Sequence, residues 1–222
     1  YLVGLIGLNE AIQFLTGFQL HENEESFKWG LKTISFLNLK CNDYSKQNNI
    51  KLSIEESPAE SAAGRLAKID LRGYPVSKEV IKGDISRDQC YYTNSIHFAA
   101  SADIDLLSRI IKQSKFHPLI KSGAIIHAFV GEKKPPAKSI FNLVSKVWKN
   151  TLAAQLTISP EFTICNQCKK IDRGLKDSCS HCHSEDVYGI TRIVGYYSKI
   201  NNWNKNKIGE LKDRRSGKYQ IV

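Results

Sequence analysis

Methionine is absent from this chain, at position 1 and everywhere else. A complete gene product normally begins with one, so these 222 residues are expected to be the C-terminal portion of a longer protein. No apolar run reaches bilayer-spanning length, because charged or polar residues interrupt every candidate, and this excludes a transmembrane helix. The opening Tyr1-Leu2-Val3-Gly4-Leu5-Ile6-Gly7 has neither the basic flank nor the small-residue cleavage site of a secretory signal. There is no internal repeat either, which removes solenoids and arrays. A cytosolic protein is the simplest expectation.

The composition is that of an ordinary globular chain, 41% apolar and 24% charged, so disorder is not expected. The length allows one core plus a small satellite domain. The net charge of +10 suits an anionic partner, whether nucleic acid, nucleotide or acidic protein, and does not choose among them. Beyond Tyr196 the basic residues outnumber the acidic by seven to two, which a solvated basic surface explains equally well.

Hydrophobic spacing predicts a helix over residues 2–16, with Leu5, Leu8, Ile12 and Leu15 on one face and Gly17 ending it. A second helix is predicted from Glu24 to Leu39, then a polar loop from Asn42 to Asn49 and a strand through Ile50, Leu52 and Ile54. Ser57-Pro58-Ala59-Glu60 reads as a helix start, with Ser57 as N-cap, Pro58 at the first position and Glu60 closing a capping box. That helix should end near Gly73. Tyr91–Phe98 is strand-like, Asp103–Lys112 an amphipathic helix and Ala124–Val130 a strand. A long helix comes next, through Ile140, Leu143, Val144, Val147 and Trp148. Alternating strands and helices argue for an α/β fold. After Pro160 the composition shifts to cysteine, glycine and loop, which places a boundary near residue 158 and divides the chain into 1–158 and 159–222.

Cys165, Cys168, Cys179 and Cys182 form two Cys-x2-Cys pairs separated by ten residues. Two such knuckles present four thiolates at the separations a closed, structural zinc site requires. Disulfides or a redox pair are the competing readings, and paired spacing in a cytosolic setting disfavours both. His181 and His183 are nearby substitutes, but four cysteines already satisfy the ion. Thirteen residues beyond Cys182 stands Gly195, within Thr191-Arg192-Ile193-Val194-Gly195-Tyr196-Tyr197. A radical centred on a glycine Cα spreads over the flanking amides and needs a flat carbon, which the missing β-carbon permits. The competing reading is a simple turn glycine.

This run resembles the radical-bearing loop of glycyl radical enzymes. Together with the cysteine knot it resembles one branch, the anaerobic (class III) ribonucleoside-triphosphate reductases. The resemblance covers most of the chain. Its other carriers are Gly7-Leu8-Asn9-Glu10, Ser57 through Arg65, Tyr91-Tyr92-Thr93-Asn94-Ser95-Ile96-His97, Glu161 through Cys165, and the tail Trp203-Asn204, Lys207, Glu210 and Arg214. Asn206 departs from it, standing where the family is expected to have glycine.

The resemblance implies the C-terminal part of a ten-stranded α/β barrel of the glycyl radical enzyme type, followed by a small zinc-ribbon and glycyl radical domain. It implies that an iron–sulfur activase using S-adenosylmethionine takes a hydrogen atom from Gly195, and that the radical passes to a cysteine in the barrel for reduction of ribonucleoside triphosphates. No residue here matches that thiyl cysteine, so the N-terminal portion of the reductase is an expected partner, in a homodimer, and the chain alone should not turn over. Cys41 and Cys90 read as ordinary thiols. Formate and a thioredoxin-like protein both remain open as electron donor. In ribonucleotide reductases substrate phosphates rest on a helix start, and the amides of Ser61, Ala62 and Ala63, with Arg65 one turn on, are candidates here. Glu55, Glu56 and Glu60 place opposing charge close by. Two other functions compete: a stand-alone spare radical subunit, and a zinc-ribbon module for nucleic acid built on Tyr196, Tyr197, Trp203, Lys205 and Lys207. The reductase reading expects no direct binding of nucleic acid.

Overall fold

The structure is a computed structural model that describes residues 1–193 and 195–221. Strands and helices alternate through its first two thirds, as an α/β fold requires. Strand β1 (Leu2–Gly4) lies parallel to β2 (Ser53–Glu55), and helices α1 (Leu8–Thr16) and α2 (Glu24–Asn48) form the connection. Residues 2–4, expected in a helix, are therefore a strand, and the helix starts only at Leu8. Two glycines ahead of Leu8 weaken any helix, and Gly7 takes a left-handed φ of 80° to start α1.

Helix α2 also differs from expectation, running nine residues past Leu39 and through the polar stretch expected as a loop. Its last turns are supported by side chains bonding backwards, Ser45 Oγ to the Cys41 carbonyl (2.7 Å) and Asn48 Nδ2 to that of Tyr44 (3.0 Å). Asn49, at φ 52°, ends it.

Helix α3 (Glu60–Gly73) begins without the expected capping box. Its N-cap is Ala59, and Ser57 instead donates its hydroxyl to Glu55 (3.0 Å). Strand β3 (Lys82–Asp84), missed in the sequence, pairs antiparallel with β4 (Gln89–Tyr91). The strand expected to reach Phe98 ends at Tyr91, and Ser95 beyond it adopts φ 48°. The segment after Tyr91 is held by hydrogen bonds to the chain start: Gly7 N–H to Thr93 O (2.8 Å) and Ser95 N–H to Leu5 O (3.1 Å). The fully buried Glu10 carboxylate completes this clasp, accepting the amide (3.0 Å) and the hydroxyl of Thr93.

Helix α4 (Leu106–Ser114), capped by Asp105, strand β5 (Ile126–Gly131) and helix α5 (Ala137–Asn150) match the predicted pattern. One core gathers Leu8, Leu20, Phe27, Ile34, Ile96, Phe98 and Phe116. A second joins Leu106, Ile110, Ile126, Ala128 and Val147 to Tyr219 from the tail. No helix among the described residues is long and apolar enough to cross a membrane.

The last sheet is organised by β6 (Leu156–Cys165). Residues 156–160 pair parallel with β5; residues 161–165 pair antiparallel with β8 (Val187–Arg192), and 162–164 also with β7 (Ile171–Arg173). Pro160, which has no N–H to offer, stands where the partner changes. Position 158, where the composition shifts, therefore lies inside one continuous strand. Strand β9 (Tyr197–Lys199) forms the far edge, and α6 (Lys205–Ser216) returns to pack on α3, β3 and β4.

The α3–α6 contact is close. A β-carbon on Gly64 would fall 1.7 Å from Asn206 Nδ2, so Asn206 fills the space that a glycine at 64 leaves open. Gly64→Ala should therefore destabilise the chain by about 1–3 kcal/mol, read as a lowered midpoint in urea; an unchanged midpoint would show that α6 moves aside freely.

Burial also sets a pH dependence. The Glu56 carboxyl is pushed up to about 8 by burial, opposed by the Ile125 amide that donates to it at 2.7 Å. Its ordinary value is 4.5, so from there to 8 the folded chain holds the proton more tightly than the unfolded one, and stability contributed by the neutral acid is lost as pH rises. Burial moves His97 down to about 3 and His117 to about 4, so acid destabilises through them below their ordinary 6.5. Of these three groups, Glu56 is the one that acts between pH 6.5 and 8. Glu56→Gln should gain on the parent by up to ~1.4 kcal/mol per pH unit across that window. Parallel stability profiles for the two proteins would refute the assignment.

Candidate functional site

The two knuckles are built alike. Cys165 N–H donates to Lys170 O (3.1 Å) and its carbonyl accepts from Lys169 N–H (3.2 Å); Cys179 N–H donates to Ser184 O (2.9 Å) and its carbonyl accepts from His183 N–H (3.0 Å). Each turn is completed by a left-handed residue directly after its second cysteine, Lys169 and His183, both at φ 59°. Neither is glycine, so no glycine signal marks these turns in the sequence. Backbone amides point at sulfur, Cys168 N–H to Cys165 Sγ (3.5 Å) and His181 N–H to Cys179 Sγ (3.4 Å).

The four sulfurs lie within 4.8 Å of one another. Cys165 and Cys182 sulfurs are 3.5 Å apart, and those of Cys168 and Cys179 3.6 Å. Thiolates about 2.3 Å from a zinc ion form a tetrahedron with edges of roughly 3.8 Å. The separations suit that geometry and are far from the ~2.05 Å of a disulfide; all six cysteines are free. Neither histidine belongs to the group. His183 supplies the turn, and His181 Nε2 lies 3.7 Å from Asp172, whose carboxyl is held down at about 2 by the hydroxyl and amide of Ser180.

Strand pairing ties Gly195 to this knot. Cys165 is paired with Val187, the first residue of β8, and β8 leads into the hairpin with β9. Ile193 N–H donates to Tyr196 O (3.0 Å), which puts Gly195 at the hairpin tip. Val194, part of the glycine motif, lies outside the described residues. Ile193 is buried while Gly195 and Tyr196 are exposed. Beyond its own chain neighbours, no described atom stands within 4 Å of where a β-carbon on Gly195 would be, so packing among these residues does not demand glycine there.

The base of the hairpin is held by α6. Trp203 donates its indole N–H to Ser198 Oγ on β9 (2.6 Å), and Asn204 caps α6 by accepting Lys207 N–H (3.0 Å). Arg214, 5% exposed, donates to the carbonyls of Arg192 (2.8 Å) and Ile193 (3.4 Å) and forms an ion pair with Glu210 (2.6 Å). The tail residues that look like a basic surface are thus partly internal fasteners. The Glu210–Arg214 spacing of four is the one sequence signal that could have revealed this pair.

The start of α3 adjoins the same helix. Asn204 Nδ2 lies 3.4 Å from Ser61 Oγ. Since α3 begins at Glu60, Ser61 and Ala62 sit in its first turn, whereas the Ala63 amide already donates to Ala59 O (2.8 Å). Arg65 is exposed. Burial raises the Glu60 carboxyl, with Glu210 adding to the rise and its own backbone amide, Lys207 and Arg214 opposing it. Cys41 is packed in the main core. Cys90 is buried beside Ala67 and Ile81, and burial raises its thiol, which disfavours the reactive thiolate.

Comparison with known proteins gives one answer. Residues 1–216 match the family described as anaerobic ribonucleoside-triphosphate reductase. The anaerobic ribonucleoside-triphosphate reductase of Enterobacteria phage T4 is 22% identical over 218 residues, covering 92% of this chain and 33% of the relative. That of Escherichia coli K12 is 24% identical over 126 residues, 56% of this chain and 17% of the relative. Among solved structures, an anaerobic ribonucleotide reductase superposes with a TM-score of 0.76 at 21% identity, covering 96% of this chain and 33% of that one. The Thermotoga maritima anaerobic ribonucleotide reductase with glycerol in its active site gives 0.69 at 20% identity, over 99% and 33%. The chain spans about a third or less of the length of these relatives. The match includes the α/β part ahead of the cysteines, which neither a spare radical subunit nor a nucleic-acid ribbon would need. The chain belongs to the anaerobic ribonucleoside-triphosphate reductase family.

Proposed function

We propose that this chain supplies the stored radical and part of the catalytic barrel for anaerobic reduction of ribonucleoside triphosphates to deoxyribonucleoside triphosphates. The observation that carries the proposal is the placing of Gly195 at a hairpin tip whose first strand is paired directly to the cysteine knot. In this reading residues 1–158 are the C-terminal part of a ten-stranded barrel, and 159–222 the zinc and glycyl radical domain. A radical S-adenosylmethionine activase takes the hydrogen atom from Gly195. The N-terminal portion of the reductase provides the thiyl cysteine and covers the exposed tip, in a homodimer. Substrate phosphates rest at the start of α3 on the amides of Ser61 and Ala62, with Asn204 beside them; Ala63, its amide engaged, contributes a small side chain only. Where zinc is bound, Cys165, Cys168, Cys179 and Cys182 hold it with no open position, and it serves as a cross-link between the β6–β7 turn and the approach to β8.

Anaerobic incubation with the activase, reductant and S-adenosylmethionine should produce a glycyl doublet in the paramagnetic resonance spectrum that is lost in Gly195→Ala. A zinc-loaded, folded parent that stays silent would defeat the proposal. Admitting air to the activated protein should cut the backbone at Gly195, and an intact mass would contradict this. Chelation should remove one zinc per chain and abolish amide protection over residues 161–199 while α2 keeps its own; protection that survives metal removal would argue against a structural ion.

A further inference from the structure

We propose that Arg214 is a positioning residue for Gly195, a clamp that sets the shape of the hairpin tip from which the hydrogen atom is taken. The inference rests on the reading of Gly195 as the radical store. It begins with the geometry of two carbonyls. In an extended strand successive carbonyls point to opposite edges, yet the guanidinium of Arg214 donates to those of Arg192 and Ile193 together. The chain can present both to one group only by bending at Ile193, and β8 ends at Arg192. Arg214 therefore stabilises the bend two residues before Gly195, and the Ile193–Tyr196 hydrogen bond closes the loop on its other side.

The guanidinium is itself firmly held. Its Nε–H and one amino group both donate to Glu210 Oε1, at 3.2 and 2.6 Å. Its plane rests over Phe129 of β5, with the central carbon 3.9 Å from the ring centroid. The Phe129 ring stacks in turn on His127, with centroids 5.3 Å apart. One side chain thus joins three elements: α6, the sheet strand that precedes the knot, and the base of the tip. A buried planar fork with all three of its nitrogens engaged has little freedom, and lysine cannot reproduce it, since an ammonium is a point charge without a fork. The carbonyls to which Arg214 donates belong to the backbone, so substitution changes the support of the tip without changing the glycine or the cysteines themselves.

The test uses the full reductase polypeptide and its activase under anaerobic conditions, in parent, Arg214→Lys and Arg214→Gln forms. Glu210→Gln is the milder variant, loosening the fork without removing it. The readouts are glycyl spin per chain, amide exchange over residues 193–199 and zinc content. Spin should fall roughly tenfold or more in both Arg214 variants, because a displacement of about 1 Å at a reacting centre has effects of that size or larger. Exchange at the hairpin should quicken while exchange over residues 165–182 and zinc content hold. Variants that keep the parent's spin and hairpin exchange would overturn the proposal. Knuckles that loosen along with the hairpin would also overturn it, because Arg214 would then be a general structural support. A parent with no doublet would remove the reading of Gly195 and this proposal together; a normal parent with indifferent variants would remove the proposal alone.

Discussion

The fold depends on β6 accepting different partners along its length. Ten residues of continuous strand lie in two sheet environments, parallel to β5 at one end and antiparallel to β7 and β8 at the other. A strand is stiff over that distance, so the knuckle at Cys165 is placed relative to β5 without a hinge. The cysteine site and the α/β part are therefore mechanically one object, although their compositions differ sharply. Pro160 fits this arrangement because the ladder changes sides where its missing N–H would otherwise leave a gap.

Buried polar groups do much of the remaining fastening. Glu10 clasps the segment after β4, Glu56 takes the Ile125 amide, Arg109 gathers the carbonyls of Phe98 and Ala99, and Arg214 gathers those of Arg192 and Ile193. In each case a side chain satisfies backbone in an irregular segment or at a strand end, where a ladder is lacking or gives out. This accounts for motif residues such as Asn9 and Glu10, whose hydrogen bonds go to the α1–α2 turn and to the segment after β4. Asn9 bridges Gln19, Glu10 and the Leu20 amide, and so fixes the turn between α1 and α2.

How much could be read from the sequence depended on the range of the forces involved. The cysteine set needs only local spacing, and the spacing was decisive. Helix α4 follows from periodicity because it buries one face. Strand β5 is instead buried on both faces, and α5 buries Val147 while Val144 and Trp148, expected on the same face, are exposed. Strand β1 could not be read that way, since its extension depends on a partner about fifty residues away. The capping box at Ser57 failed for a related reason: Glu55 lies close enough to take the hydroxyl, and the helix starts later. The tail was the hardest part. Helix α6 buries Asn206, Gly209, Leu211 and Arg214, a mixture with no apolar stripe to detect. Its role depends on carbonyls supplied by a distant hairpin.

The hairpin tip has a consequence for how damage to this protein would show itself. Everything after position 195 is attached by more than the peptide bond at the tip: β9 pairs with β8, Tyr91 donates to Asp213 at 2.6 Å, Tyr219 donates to Ala100 O at 2.9 Å, and Asn206 lies against Gly64. A chain severed there would keep its last piece docked. Such a lesion would be silent in native size and in overall fold, and would be seen only once the protein is denatured.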